Sequence, residues 1–241
     1  MSNLIKVFSR KQELLINMNR YLNNEKVINN CINSLFRKMI IQYNFMIYLL
    51  KKQILFSWIL IDNIAYKFEI IAKLYDKLVS KVYKNEYQAL NISNNDKVLH
   101  IGCGAYPLTE ITLARTTDAK IVGIDRNKKA IKLANAIVYK KNLRNKIKIE
   151  HGNGMNYSVE EFNLIIVSSC TIPILNVVDY IFKNAKKDCK IIVRELDAAV
   201  KPLINLIDLQ KNIILIKKIE SHPFPFYKPF GWRSFYMIKK Q

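Results

Sequence analysis

A chain of 241 residues, half of them hydrophobic and with only six glycines and six prolines, has room for one α/β domain of about 150 residues plus a smaller part, and its composition argues against long disorder. Four widely spaced cysteines, Cys31, Cys103, Cys170 and Cys189, make no CxxC pair and follow no secretory signal, which argues against a disulfide framework or a metal site and predicts reduced thiols in a cytoplasmic protein. The formal charge of +20 suits an anionic partner (RNA or DNA, a membrane surface, an acidic small molecule) or a merely basic soluble surface, and no RNA-binding motif decides between them.

From Ser2 to about Asn91 there is neither proline nor glycine, and large apolar residues recur every three or four positions. That spacing predicts helices. Leu14, Ile16, Met18, Tyr21 and Leu22 form one apolar face, Val27, Ile28, Ile32, Leu35 and Phe36 a second, with a break at Asn23-Asn24-Glu25 and further helix from about Ser34. Met39 to Ile61 is apolar enough to raise the question of a membrane span, but Lys51-Lys52 sits inside it. A span wants about 20 predominantly apolar residues without such a pair, so buried or docking helices are expected and no transmembrane segment. Phe68 to Leu90 is the last helix of this region, with Leu74, Leu78, Val79, Val82, Tyr83, Tyr87 and Leu90 predicted to pack on the α/β domain. The polar turn Asn91 to Asp96 then sets the expected boundary between a helical region, 1–90, and that second domain, 91–241.

Lys97 to Ile101 is a short apolar run that ends in Gly102-Cys103-Gly104. Helical spacing resumes at Leu108, Ile111 and Thr112, and a second apolar run, Lys120 to Ile124, stops at Asp125. Strand, glycine turn, helix, strand and terminal acid is how a parallel α/β sheet builds a nucleotide site, although a GxG turn taken alone also serves as a plain strand-to-helix connection. A carboxylate at that strand tip can accept hydrogen bonds from both hydroxyls of a ribose. The third glycine of GxGxxG is replaced by Ala105-Tyr106-Pro107, and Pro107 offers no N–H to a pyrophosphate at the helix start. The pattern therefore favours S-adenosylmethionine (SAM), a nucleoside without phosphate, over a dinucleotide.

Helices are expected at Lys128–Tyr139, Pro173–Lys186 and Val200–Gln210, and strands at Ile147–Glu150, Leu164–Ser168 and Lys190–Arg194. Two last strands, Asn212–Ile219 and Ser234–Ile238, flank the proline-rich hinge Ser221 to Gly231. With no helix between them they predict a hairpin at the sheet edge.

Gly102-Cys103-Gly104-Ala105-Tyr106-Pro107-Leu108-Thr109 resembles the glycine motif of class I SAM-dependent methyltransferases, and within them is similar to the GSGPxPLT form of nicotianamine synthases, which move an aminocarboxypropyl group. The resemblance covers roughly Tyr75 to Gln241. It implies a Rossmann-like α/β sheet behind an all-helical N-terminal region, with SAM as substrate and a small-molecule acceptor. Gly102, Cys103, Gly104, Tyr106, Asp125 and Arg126 then belong to the SAM site. Asn153 and Gly154, after the third strand, stand where the family places a residue beside the adenine. They also read as an Asn-Gly turn, and Met155 as a cover for the adenine or as core. Ser168 opens the run Ser168-Ser169-Cys170-Thr171-Ile172-Pro173 at the strand end that faces the transferred group. This run is not the Asn-Pro-Pro-Tyr of enzymes that methylate amino groups, and Cys170, without a basic neighbour in sequence, reads as packing.

Three further residues are candidates for the transfer chemistry. Tyr75 aligns with a family tyrosine that borders the substrate, Glu86 opens an E-Y-x-x-L segment like that before the synthase glycine motif, and Arg194 matches a family arginine. A buried arginine there needs a ligand carboxylate or a partner such as Glu195 or Asp197. His222, Tyr227, Trp232 and Arg233 roof the acceptor site or pack the hinge. The upstream carboxylate of the synthases falls here at Tyr48-Leu49-Leu50, where no acid stands; Asp62 or Glu69 takes its place only if the helices are shifted. Methyl transfer is accordingly the leading expectation. Aminocarboxypropyl transfer, making an opine or nicotianamine-type metallophore, and a non-catalytic SAM- or RNA-binding module are the alternatives.

Overall fold

The computed structural model describes residues 45–88, 92–93, 95–221 and 231–240. The helices expected between Leu14 and Phe36, together with Cys31, Leu90, Asn91, His222 and Tyr227, lie outside the described residues. The chain divides into two compact units, Met1–Leu50 and Lys51–Gln241. In the smaller unit residues 45–50 are described and are helical. The larger unit holds the sheet, and it also takes in helices that precede the expected boundary at Asn91.

These are α1 (51–67) and α2 (Glu69–Gln88), followed by β1 (Lys97–Ile101), α3 (Leu108–Thr116), β2 (Lys120–Asp125), α4 (Lys128–Lys140), β3 (Ile147–His151) and β4 (Leu164–Val167). Then come α5 (Ile174–Asn184), β5 (Lys190–Leu196), a 3-10 turn at Asp197–Ala199, α6 (Val200–Asp208), β6 (Ile213–Ser221) and β7 (Trp232–Lys239). The seven strands lie in the order β3-β2-β1-β4-β5-β7-β6. Five are parallel, while β7 runs antiparallel between β5 and β6. The expected edge hairpin is therefore present, with its second strand inserted inward of its first. No helix among the described residues is long and apolar enough to cross a membrane.

Alternation along the strands decides which helices cover which face. Val98, Ile121, Ile147, Leu164, Ile166 and Ile192 point to the face packed by residues of α2, α3 and α4. Leu99, Ile101, Ile124, Ile165, Val167 and Val193 point to the face packed by residues of α5 and α6. The central parallel strands are covered on both sides, so they read as continuous apolar runs. Each fully buried Ile or Leu contributes roughly 1.5–3 kcal/mol. Helix α3 is buried from Leu108 to Ala114, with the sheet on one side and α2 on the other. Asn127 caps α4 by accepting from the Lys129 N–H at 3.0 Å.

Candidate functional site

The sheet reverses its winding between β1 and β4, which opens a crevice beyond their carboxyl ends. A cavity of about 430 Å3 occupies it, within the range of small-molecule sites. The turn after β1, the tip of β2, the turn after β3 and the loop after β4 all line it, and α1 and α2 close it with Leu55, Trp58, Asp62, Tyr75 and Tyr83.

The glycine turn is fixed by backbone geometry. Gly102 and Gly104 adopt φ of 87° and 67°, in the region that favours glycine. The N–H groups of Gly102 and Cys103 both donate to the Ile124 carbonyl, tying the turn to β2. A side chain on Gly102 would meet Thr171 and Ser168, and one on Gly104 would meet the Asp62 carboxylate. Protein atoms therefore occupy the space beside these glycines, in addition to any room they leave for a ligand.

Asp125 ends β2 with each carboxylate oxygen accepting one backbone bond, Oδ2 from Gly104 at 3.1 Å and Oδ1 from Asn127 at 2.8 Å. Each oxygen keeps a further lone pair able to accept another hydrogen bond. Arg126 lines the cavity beside it, and its carbonyl lies 3.2 Å from His151 Nε2. Asn153 and Gly154 also line it. The Asn153 side-chain oxygen accepts from the Met155 N–H at 3.1 Å, so Asn153 is a turn residue that also lines the cavity. Met155 itself is outside the lining and partly exposed, which makes it neither core nor a cavity wall.

Asp62, on α1, closes the glycine turn from the other side. Its Oδ2 accepts from the N–H groups of Ala105 at 3.0 Å and Tyr106 at 3.3 Å. Burial pushes its carboxyl from 3.8 up to about 7, against those two bonds, and the negative charges of Asp125 and Glu110 add to the rise. Glu69, by contrast, is exposed at the start of α2 and pairs with Lys73 at 3.4 Å. Of the two acids that a shifted helix was expected to offer, Asp62 is the one that reaches the cavity.

Above Asp62 stand the aromatic rings. Trp58 lies 5.9 Å from Tyr75 and 6.4 Å from Trp232, Tyr83 lies 6.1 Å from Trp232, and Tyr75 lies 5.8 Å from Tyr106. Burial raises the Tyr75 hydroxyl well above its ordinary range and pushes those of Tyr83 and Tyr106 up to about 12. Cys170 lies in the same wall, its thiol pushed up to about 12 by burial, which favours the protonated thiol over the nucleophilic thiolate. Ser168 lines the cavity, and its hydroxyl lies 3.5 Å from the Cys170 N–H.

Arg194 forms the floor, and its partner is neither Glu195 nor Asp197. Glu86 Oε2 accepts from its Nε at 3.0 Å and Nη2 at 2.7 Å, Thr109 Oγ1 accepts from Nη1 at 2.9 Å, and the Tyr87 hydroxyl lies 3.1 Å from Nη2. The guanidinium stacks over Tyr83 at 3.9 Å. Glu86 is filled on its other oxygen by Ser234 and Trp232. Successive strand residues point to opposite faces. Glu195 accordingly turns away to bind Lys51 at 2.6 Å, and Asp197, in the 3-10 turn past the strand, lies 3.5 Å from Arg233. Glu86 is thus a saturated counter-ion beneath the cavity rather than a group presented to it. Arg233 pairs with Glu220 at 2.6 Å and lies outside the lining, while Trp232 is part of it.

Asp62 was expected only as a conditional replacement, and Trp58, Tyr83 and Thr109 had no role as site residues. The pair His100 and Glu110, with Nδ1 and Oε1 2.7 Å apart and both side chains buried, escaped altogether. A histidine inside an apolar strand ten residues before a glutamate inside an apolar helix was the available signal.

A family model described as a methyltransferase domain matches residues 92–223. A comparison with curated proteins finds no match. Among solved structures, a point mutant of MtNAS in complex with S-adenosylmethionine superposes with a TM-score of 0.61 at 14% identity, covering 78% of this chain and 73% of that one. Against another structure of that mutant the chain spans 61% of the relative's length. A putative S-adenosyl-L-methionine-dependent methyltransferase from Methanococcus maripaludis gives 0.56 at 16% identity, covering 72% and 90%. A tRNA methyltransferase from M. jannaschii gives 0.53 at 18%, covering 67% and 48%. At these identities the likeness is one of fold.

Proposed function

Because the chain belongs to the methyltransferase-domain family, we propose that its cavity binds SAM and that the protein transfers the methyl group to a small-molecule acceptor. The observation that carries this reading is the meeting of the Gly102–Gly104 turn and Asp125 in one cavity at the winding reversal. Asp125 has lone pairs left for the two ribose hydroxyls, Arg126, Asn153 and Gly154 border the adenine end, and Cys103, Tyr106 and Ser168 border the sulfur end. The sulfonium supplies an activated carbon: the acceptor's lone pair forms the new bond as the carbon–sulfur bond breaks, leaving S-adenosylhomocysteine. Tyr75, Tyr83 and Trp232 wall the acceptor side, and Arg194 with Glu86 holds that wall in place. Catalysis on this reading is chiefly alignment, with Asp62 or water taking any acceptor proton.

Calorimetry with S-adenosylhomocysteine tests the site. Asp125→Ala weakens binding by roughly 1–3 kcal/mol through loss of the charge-assisted ribose bonds; unchanged affinity removes the site as drawn. A second reading, aminocarboxypropyl transfer, is favoured by one observation, the Asp62 carboxyl at the cavity with its pKa near neutrality, as a general base requires. The products separate the two. Incubation with SAM and a cell extract yields S-adenosylhomocysteine for methyl transfer, whereas methylthioadenosine above the no-enzyme background, lost in Asp62→Asn, selects the second reading. Neither product from any extract favours a binding module without turnover.

A further inference from the structure

The two sides of α1 have different surroundings. Its inner side buries Ile54 and Ala65 and gives Trp58 and Asp62 to the cavity. Its outer side presents Phe56, 67% exposed, and Leu60; Phe68, just before α2, and Ile70, which is 81% exposed, and Leu74 at its start are exposed apolar side chains as well. Large apolar side chains exposed together in number mark an interaction surface.

The surrounding charges indicate what covers it. Lys52, Lys67, Lys73, Lys77, Lys81 and Lys84 are exposed on the same two helices, against one exposed carboxylate, Glu69. On α2 the spacing of Ile70, Lys73, Leu74, Lys77, Lys81 and Lys84 puts apolar and basic side chains on one outward face. A second copy meeting this surface across a two-fold axis would set these lysines against their own kind, which is repulsive. An anionic lipid surface satisfies both features, since acyl chains take the phenylalanine and leucine side chains while headgroups neutralise the ammonium groups.

We propose that the outer face of α1 and α2 docks on an anionic membrane, lying in its interface without crossing it. Sedimentation with phosphatidylcholine vesicles, with and without phosphatidylglycerol, tests this in the whole 241-residue chain. Binding is expected only to the vesicles containing phosphatidylglycerol and should weaken as salt rises. The double variant Phe56→Ser, Leu60→Ser is expected to lower the partition coefficient at least about tenfold. Its affinity for S-adenosylhomocysteine should stay unchanged, because neither residue lines the cavity. Should that variant lose its thermal transition, Lys67→Glu with Lys73→Glu carries the decision, with the same loss expected. Failure of the unaltered protein to pellet with the anionic vesicles, or equal pelleting by folded variants, overturns the proposal. So does a dimer in sedimentation equilibrium that Phe56→Ser, Leu60→Ser dissolves, which would assign the face to a second copy.

Discussion

At the scale of single residues, the cavity joins groups of two origins. Gly102, Gly104, Asp125, Asn153 and Ser168 lie at or just after strand ends, so their place is set by local order along the chain and could be read from spacing. Asp62, Trp58 and Tyr83 arrive through the packing of α1 and α2, and no spacing rule announces which turn of a long helix will meet a loop forty residues away. Asp62 makes the sharpest prediction. Its folded pKa of about 7 lies above the ordinary 3.8, so the native state holds a proton that the unfolded chain has released between those values. Stability from this group is complete at lower pH and is lost as pH rises through about 7. Asp62→Asn keeps an oxygen for the Ala105 and Tyr106 N–H groups without the buried charge. Urea unfolding should find the variant gaining on the unaltered protein, by on the order of 1–4 kcal/mol, between pH 4 and pH 8. A constant difference across that range would mean that Asp62 is ionised throughout.

At the scale of elements, existence and type were legible among the described residues, and edges less so. The alternation of apolar runs located every strand from β1 to β7, yet β5 continues through Glu195 and Leu196, polar and apolar residues whose strand character comes from pairing with Arg233 and Trp232 on β7. The insertion of β7 between β5 and β6 was not legible in the sequence, because periodicity carries no strand order. Arg194 shows the same limit, since its counter-ion is 108 residues away on α2. Through Glu86 this one guanidinium links α2, α3, β5 and β7, and breaking such a buried pair typically costs about 3–5 kcal/mol because the remaining charge has no partner. Arg194→Met and Glu86→Gln should each lower stability substantially in denaturant melts. The double variant should be less destabilised than the sum of the two, with a coupling of about 0.5–3 kcal/mol. Strict additivity would show that the pair does not act as one unit.

At the scale of the whole molecule, charge outweighs any local pairing. Lys and Arg number 39 against 19 Asp and Glu, so about half of the cations have no acid to meet however the chain folds. Among the described residues the exposed pairs, such as Lys97 with Glu161 at 2.8 Å and Lys183 with Asp179 at 2.6 Å, are each worth about 0–1 kcal/mol and are themselves weakened by salt. Net repulsion is spread over the surface and opposes compaction. Raising ionic strength from about 0.01 to about 0.1 M shortens the screening length from about 30 to about 10 Å, which spares neighbouring pairs more than it spares repulsion between distant lysines. The melting temperature should therefore rise over that interval, by about 2–4 °C for each 1 kcal/mol gained in a chain of this size. Calorimetry across a sodium chloride series measures it. A melting temperature that falls with salt would mean that local ion pairs outweigh the +20 imbalance, and that the basic surface is already compensated within the fold.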